Sequence, residues 1–423
     1  MAARKKYLGI IFLTLFLDLV GFSIVFPLFR DLLAMYQDQV QVLMTVFPDI
    51  GADLDQRLAL IGGLLFSIYS LAQFVSARFW GALSDRIGRR PVLLITLSMA
   101  LLGNLIWVVS GNLWVFLLAR LVSGFGAGNV SVLTAAAADV TGAAKRTSAM
   151  AIVGMAFGLG FTVGPAIGAL SYIFLPQAVL TGAALSLHTF SACALVTVVL
   201  GLINLLWVWR GFPETRTPTS DNELKSLEPD CTLRHLTWAY AAYIIAFSIM
   251  EATLVFLIAQ RVPGTSPGVI GWLFVYMGVV SALLQGGLIR RLSGQINERV
   301  LATVGLIAFV PGMLWFAWAD SLADMFIGML GPVLAMACVM PALSAWVSKV
   351  TDADHQGAAL GYFRSRGSLA RAVGPAMGGF AFFVLGSAET YVLAAITMLI
   401  PLILIVITKV PPASLQVAQE TES

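Results

Sequence analysis

Asp18, Glu251, Arg120, Arg364, Arg366 and Arg371 all fall inside long apolar runs of the sequence. An ionisable side chain in the hydrocarbon layer costs at least about 2.5–3.5 kcal/mol at a helix centre, so each one needs a functional or structural reason. A carboxyl shielded from water loads and unloads a proton near neutral pH, which makes Asp18 and Glu251 candidate proton carriers. A guanidinium presents a planar fork of donors that grips a carboxylate or sulfonate bidentately. Arg371, Arg364 and Arg120 are therefore candidate substrate-binding residues. The competing reading is an acid–arginine pair joining two helices, or, for Arg364, a side chain reaching the cytoplasmic headgroups. Arg364 and Arg371 differ by about 20° around a helix and share a face, whereas Arg366 is turned about 200° from Arg364. These four arginines outnumber the two deep acids, with Asp139 near the inner end of its run, so at least one arginine is left for an anionic substrate.

The elements that position these groups follow from composition. Of 423 residues, 59% are hydrophobic and 11% charged; soluble domains carry about 25% charged residues. This chain cannot cover a globule with polar surface, which excludes a soluble enzyme, a nucleic-acid binder and a disordered scaffold. The three cysteines, Cys193, Cys231 and Cys338, are far apart and fit neither a disulfide framework nor a zinc site. A ruler of about 20 apolar residues gives twelve spans: 7–29, 59–80, 91–110, 112–136, 147–173, 187–209, 236–259, 267–289, 299–318, 323–346, 357–386 and 388–408. The first is too long for a signal peptide and lacks a small-residue cleavage site. The expected division is an N-terminal six-helix half (1–209), a cytoplasmic linker (210–235) with Pro213, Pro218 and Pro229, a C-terminal six-helix half (236–410) and a short cytoplasmic tail (411–423). Basic residues concentrate on the inner side of a membrane. Arg4, Lys5, Lys6, Arg86, Arg89, Arg90, Lys145, Arg146, Arg290 and Arg291 share one side, against Arg30, Arg57 and Arg261 on the other. Both termini are thus expected inside. The 30–58 segment faces out with Asp31, Asp38, Asp49, Asp53 and Asp55.

Two motifs add detail. Gly81-Ala-Leu-Ser-Asp85-Arg86-Ile-Gly88-Arg89-Arg90-Pro91 joins spans two and three on the inner side; Gly88 suits a tight turn and Pro91 the first turn of a helix. Span five carries Gly154, Gly158, Gly160, Gly164, Pro165 and Gly168, and its small-xxx-small pairs (154/158 and 160/164) let helices approach closely. Gly164-Pro165-Ala-Ile-Gly168 returns as Gly374-Pro375-Ala-Met-Gly378. A repeat 210 residues on makes span eleven the counterpart of span five, a 6+6 plan with its site near the midplane.

The Gly81–Pro91 loop resembles the signature loop of the major facilitator superfamily, and the span-five ending resembles the signature of its drug:proton antiporters. Asp18-Leu19, Arg120–Gly124, Gly128–Ser131, Phe247-Ser248 with Glu251, Gln260-Arg261, Gln285-Gly286, Arg290-Arg291, Arg364-Ser365 and Leu369-Ala-Arg371 extend the likeness over residues 8 to 400. Together they are similar to the tetracycline-transporter-like organic-anion efflux carriers of that superfamily. Arg366 departs from the pattern, which bears on substrate range. The resemblance implies an all-α membrane protein of twelve helices in two six-helix pseudo-repeats, driven by a proton gradient without cofactor or metal. It also implies that Asp85 and Arg86 latch an outward-facing state, and that the span-five glycines pack and kink without touching substrate.

Gln73, Asn129, Asn204 and Gln285 also lie within spans. They are hydrogen bonds between helices or, for Gln73, Asn129 and Gln285, cavity lining. His188, His235 and His355 fall near span ends and read as interfacial. Phe157, Phe161, Phe247 and Tyr276 read as packing. No Walker loop, His-Glu-x-x-His or Gly-x-Ser-x-Gly occurs. The expectation is a secondary transporter, not an enzyme, that exports amphipathic organic anions or drugs against protons by alternating access. It partners the bilayer, protons and a small molecule, binds no nucleic acid and works as a monomer, in a bacterial inner membrane. The alternatives are a symporter or uniporter for an acidic metabolite or nutrient, and a non-transporting receptor, which would carry longer soluble segments.

Overall fold

The computed structural model describes residues 2–46, 52–141, 146–175, 186–215, 230–289, 296–351 and 356–408. Lys145, Arg290, Arg291, His355, Asp49, Pro218, Pro229 and the 411–423 tail lie outside them. Regular structure among the described residues is helical. Ten helices are long and apolar enough to cross a membrane: α1 (Tyr7–Ala34), α2 (Leu54–Ile87), α3 (Arg89–Val108), α4 (Leu113–Thr141), α6 (Ser191–Gly211), α7 (Cys231–Arg261), α9 (Glu298–Ala317), α10 (Leu322–Val350), α11 (Ala359–Leu385) and α12 (Ser387–Ile407). Two helices with shorter apolar stretches, α5 (Arg146–Phe174) and α8 (Pro267–Leu283), bring the number to twelve among the described residues.

Several helices overrun the boundaries expected from hydropathy. The first continues past residue 29 through a 3-10 turn, Phe26–Leu28, to Ala34, and the second runs from Leu54 to Ile87 rather than 59–80. A hydropathy window sees only the apolar stretch. A helix continues beyond it wherever polar end groups are answered. Arg30 binds Asp55 at 2.7 Å and Asp31 at 3.0 Å, tying the outer ends of α1 and α2 together. Asp53 and Gln56 form a reciprocal capping box that starts α2. Asn112, Asp230 and Ser321 cap α4, α7 and α10, each accepting from the backbone N–H three residues on. His188 is buried rather than interfacial. Its Nδ1 accepts from Phe190 N, so Nε2 carries the proton and faces Trp107 O at 3.2 Å. Burial lowers the pKa of this histidine below its ordinary value.

Close backbone contact organises each half. Gly160, Gly164 and Gly168 press α5 onto Leu19, the Val20 carbonyl with Ser23, and the Ile24 carbonyl of α1. Gly374 and Gly378 press α11 onto Ser248 with the Ile245 carbonyl, and onto Ile249 of α7. The two interfaces superpose residue for residue, α5 on α11 and α1 on α7. One glycine differs from expectation: Gly158 has open space around it, so no helix packs against it. The halves meet where Gly63 of α2 touches the Pro375 carbonyl and Gly379 of α11, and where Gly271 and Gly278 of α8 touch Ala169 and Thr162 of α5. Ser67 Oγ also accepts from Ala376 N at 2.8 Å, and Asp53 accepts from Gln260 of α7 at 2.7 Å. These contacts lie between the midplane and the face opposite the Gly81–Pro91 loop. Among the described residues the two halves are therefore closed on each other on the side opposite the Gly81–Pro91 loop.

Gly168→Ala is expected to lower the melting temperature, since overpacking costs about 1–3 kcal/mol, while Gly158→Ala leaves it unchanged; a melting scan in detergent compares them. Neutral His188 stabilises the fold fully above its unfolded pKa of about 6.5. Its contribution fades as pH falls below that value, because only the unfolded chain takes the proton. The melting temperature of His188→Asn is expected to respond less to this acidification.

Candidate translocation site

The glycine contacts of α11 on α7 bring Arg371 and Glu251 together near the midplane. Arg371 Nη1 lies 3.3 Å from Glu251 Oε2. The arginine keeps 21% of its side chain exposed and the acid 9%, so the arginine is the more open partner. Its guanidinium faces the ring of Phe161, 4.2 Å from the centroid, across from the other half. The shift that superposes α5 on α11 carries Phe161 onto Arg371, and the shift that superposes α1 on α7 carries Phe26 onto Glu251. The N-terminal half thus holds an aromatic pair, with ring centroids 6.3 Å apart, where the C-terminal half holds an ion pair. Between them is a small cavity of about 10 Å³, lined by Phe22, Phe26, Phe66, Ser70 and Ser248 with the ion pair. It has room for about one water. Ser248 Oγ, 1% exposed as a residue, has no hydrogen-bond partner there.

Toward the inner side, Tyr240 of α7 interacts electrostatically with both Arg364 and Arg371, as the shared helix face requires. Arg366 points elsewhere, over Trp238 at 5.2 Å and Tyr362 at 5.4 Å. Trp238 is half exposed, which places Arg366 at an interface rather than in the central site.

Asp18 lies apart from this pair. Asn129 Nδ2 donates to its Oδ2 at 2.7 Å and Asn204 Nδ2 to its Oδ1 at 3.0 Å. No arginine pairs with it among the described residues. Arg120 is 4% exposed and rests over the rings of Tyr69 (4.3 Å) and Phe22 (5.5 Å). Its Nη2 is buried without a hydrogen-bond partner. Tyr69 interacts electrostatically with both Arg120 and Asp18. Gln73 lies away from both clusters and ties α2 to α4 by donating to the Ala127 carbonyl at 3.1 Å. Gln285 donates to Ser281 Oγ at 2.9 Å, in the π-helical turn Leu284–Ile289 that follows α8.

On the inner face Arg89, rather than Arg86, is the hub of the loop. It binds Asp85 at 2.6 Å, Asp139 at 3.0 Å and Ser84 Oγ at 2.7 Å, so Asp85 is held within its own half. Arg86 is exposed. Arg90 donates to the Trp209 carbonyl at 2.6 Å. Gly81 packs beside Ser131. Glu214, which sequence reasoning missed, accepts from the backbone N–H groups of Arg89 (2.8 Å) and Arg90 (3.1 Å) at the start of α3. A carboxylate suits a helix N-terminus, but nothing local in the sequence links positions 89 and 214. Gly88 has φ +102°, and a Cβ there would run into the Glu214 carboxylate. Gly88→Ala is expected to cost about 1–3 kcal/mol from backbone strain, more than the about 0.3–1 kcal/mol of removing the Glu214 charge in Glu214→Gln. Equilibrium unfolding of both variants would rank them.

The family described as Major Facilitator Superfamily matches residues 11–331 and 236–422. Major facilitator superfamily domain-containing protein 10 of Bos taurus is 32% identical over 97% of this chain and 94% of its own length. The class B tetracycline resistance protein of Escherichia coli is 27% identical over 79% of this chain and 83% of its own. Among solved structures, the human organic anion transporter MFSD10 (TETRAN) superposes with a TM-score of 0.73 at 29% identity, covering 95% of this chain and 99% of that one. A bacterial homologue of the human lysosomal transporter Spinster gives 0.68 at 13% identity, covering 96% and 97%, a likeness of fold.

Proposed function

The chain belongs to the major facilitator superfamily of membrane transporters, and from that premise we propose that it moves amphipathic organic anions together with protons by alternating access. The observation that carries this reading is the Glu251–Arg371 pair with its exposed arginine under Phe161. Empty, the pair balances its own charge. An anion reaching Arg371 must displace Glu251, and the displaced carboxylate is stabilised by taking a proton. Anion, guanidinium and protonated acid again sum to zero, so both the empty and the loaded centre cross the hydrocarbon without net charge. The apolar part of the substrate meets Phe22, Phe26, Phe66 and Phe161. Arg364 offers the anion a station nearer the inner mouth. No cofactor enters this scheme; the proton gradient drives it.

Proton-driven efflux, in which anion and proton move in opposite directions, is the second reading. Asp18 favours it, since an acid with no arginine partner in the other half can carry a proton inward while Glu251 stays paired. The relatives named tetracycline resistance proteins suit removal of a drug, and the organic anion transporter relative suits an anionic substrate. They come from bacteria and from mammals, so the bacterial inner membrane is a proposal resting on the chain alone.

Proteoliposomes with a trapped pH dye test the coupling. An amphipathic anion added outside is expected to acidify the lumen as anion and proton enter together. Alkalinisation would establish the efflux antiport instead, and no proton movement would sink both. Anion binding to the wild type is expected to tighten as pH falls, because each bound anion needs Glu251 protonated. In Glu251→Gln that pH dependence disappears, and in Arg371→Ala binding itself is lost.

A further inference from the structure

Asp18 poses a problem that the Glu251–Arg371 pair does not solve. It is a carboxylate near mid-membrane in α1, about 12 Å along the helix from Phe26 and the central cavity. Its two oxygens are met only by the side-chain amides of Asn129 from α4 and Asn204 from α6. Two neutral amides leave the charge itself unanswered, and an uncompensated buried charge is strongly unfavourable. The titratable group that interacts with it is Tyr69, whose ring also carries the Arg120 guanidinium at 4.3 Å.

The surroundings hold a surplus of oxygen. Asn129 and Asn204 are 0% and 1% exposed, and the Oδ1 of each has no hydrogen-bond partner. Thr14, one helical turn before Asp18, is likewise 0% exposed with an unpartnered Oγ1. The Thr14 carbonyl lies beside the Asn204 amide, 3.4 Å from its Nδ2. Unsatisfied polar atoms are rare in a protein interior and call for an explanation. Three around one carboxylate share a chemistry: all are hard oxygen donors. Turning either amide by 180° exchanges its nitrogen for its oxygen in front of Asp18. With nitrogens inward, the amides solvate a bare carboxylate. With oxygens inward, they repel it unless a cation sits between.

We propose that Asp18, Asn129, Asn204 and Thr14 form a binding site for a sodium ion in the N-terminal half. The donor set is carboxylate, amide carbonyls, backbone carbonyl and hydroxyl, which suits a hard cation and not a transition metal. Its single negative charge matches a monovalent ion rather than a divalent one. The ligands converge from three helices, with both amides within 3.0 Å of the carboxylate, so turning them brings their oxygens to the same spot. This goes beyond the anion–proton reading, because none of its ligands belongs to the Glu251–Arg371 site. It gives the N-terminal half a cation of its own to couple to the opening and closing of the halves.

Purified protein tests it through its melting temperature in sodium chloride against potassium chloride at equal ionic strength, together with retention of radioactive sodium by the immobilised protein. A ligand that binds only the folded state raises stability with its concentration. The wild type is expected to melt higher in sodium, progressively with concentration, and to retain the isotope. Asp18→Asn, which keeps the shape of the side chain, is expected to lose both effects. Thr14→Val, a milder change should Asp18→Asn fail to fold, weakens them. Glu251→Gln keeps them intact, so failure of the proton-coupling reading and failure of this one are separable. Equal melting in the two salts without isotope retention overturns the proposal and leaves Asp18 to the proton. A sodium effect that survives in Asp18→Asn overturns it as well, by placing the ion elsewhere.

Discussion

A charge in the hydrocarbon layer must be answered within a few ångströms, and the interior of this protein is arranged around that constraint. Arg371 and Glu251 answer each other at 3.3 Å. Arg120 is answered by the faces of Tyr69 and Phe22, contacts worth roughly 2 kcal/mol or more each when desolvated. Asp18 is answered by two amides alone. The first arrangement is balanced; the other two each leave charge over. A balanced pair admits an anion only by exchange, when the acid takes a proton and gives up its arginine, whereas an unbalanced group attracts a counter-charge directly.

The positions of these groups depend in turn on glycine. A carboxylate on α7 and an arginine on α11 meet because Gly374 and Gly378 let the two backbones touch. The same device brings α5 onto α1 through Gly160, Gly164 and Gly168. Identical packing with different side chains gives a scaffold that is nearly symmetric and a centre that is not. Phe26 and Phe161 stand where Glu251 and Arg371 stand in the other half. Arg371 meets Phe161 across the boundary between halves, so an apolar wall and a charged wall face the same small cavity.

Movement between states is constrained at two levels. On the side opposite the Gly81–Pro91 loop, α2 on α11 and α5 on α8 touch mainly through small residues, with the Ala376–Ser67 and Gln260–Asp53 hydrogen bonds beside them. On the inner side, Arg89 gathers Asp85 and Asp139, and Glu214 seats on the start of α3. This network lies within one half and stiffens it. A half stiffened in this way keeps the ion pair and its surroundings in register with the interface between halves.

The sequence by itself determined the membrane class, the number of helices and their repeat, because apolar length and glycine spacing are local properties of a chain. It also picked out Asp18, Glu251, Arg120 and Arg371, since a charge inside an apolar run is visible without knowing its neighbours. Helix ends were less legible. α1 and α2 run on through Arg30, Asp55 and a capping box, which no hydropathy window registers. Only the tertiary structure decided which acid belongs to which arginine. Helical spacing relates Arg364 to Arg371 but says nothing of partners on other helices. The roles of Phe161 and Glu214, and the identity of the partner of Asn204, were likewise hidden, for they arise between residues more than a hundred positions apart. Partnership in a membrane is a matter of which helix faces which, and that is settled by packing across the whole bundle.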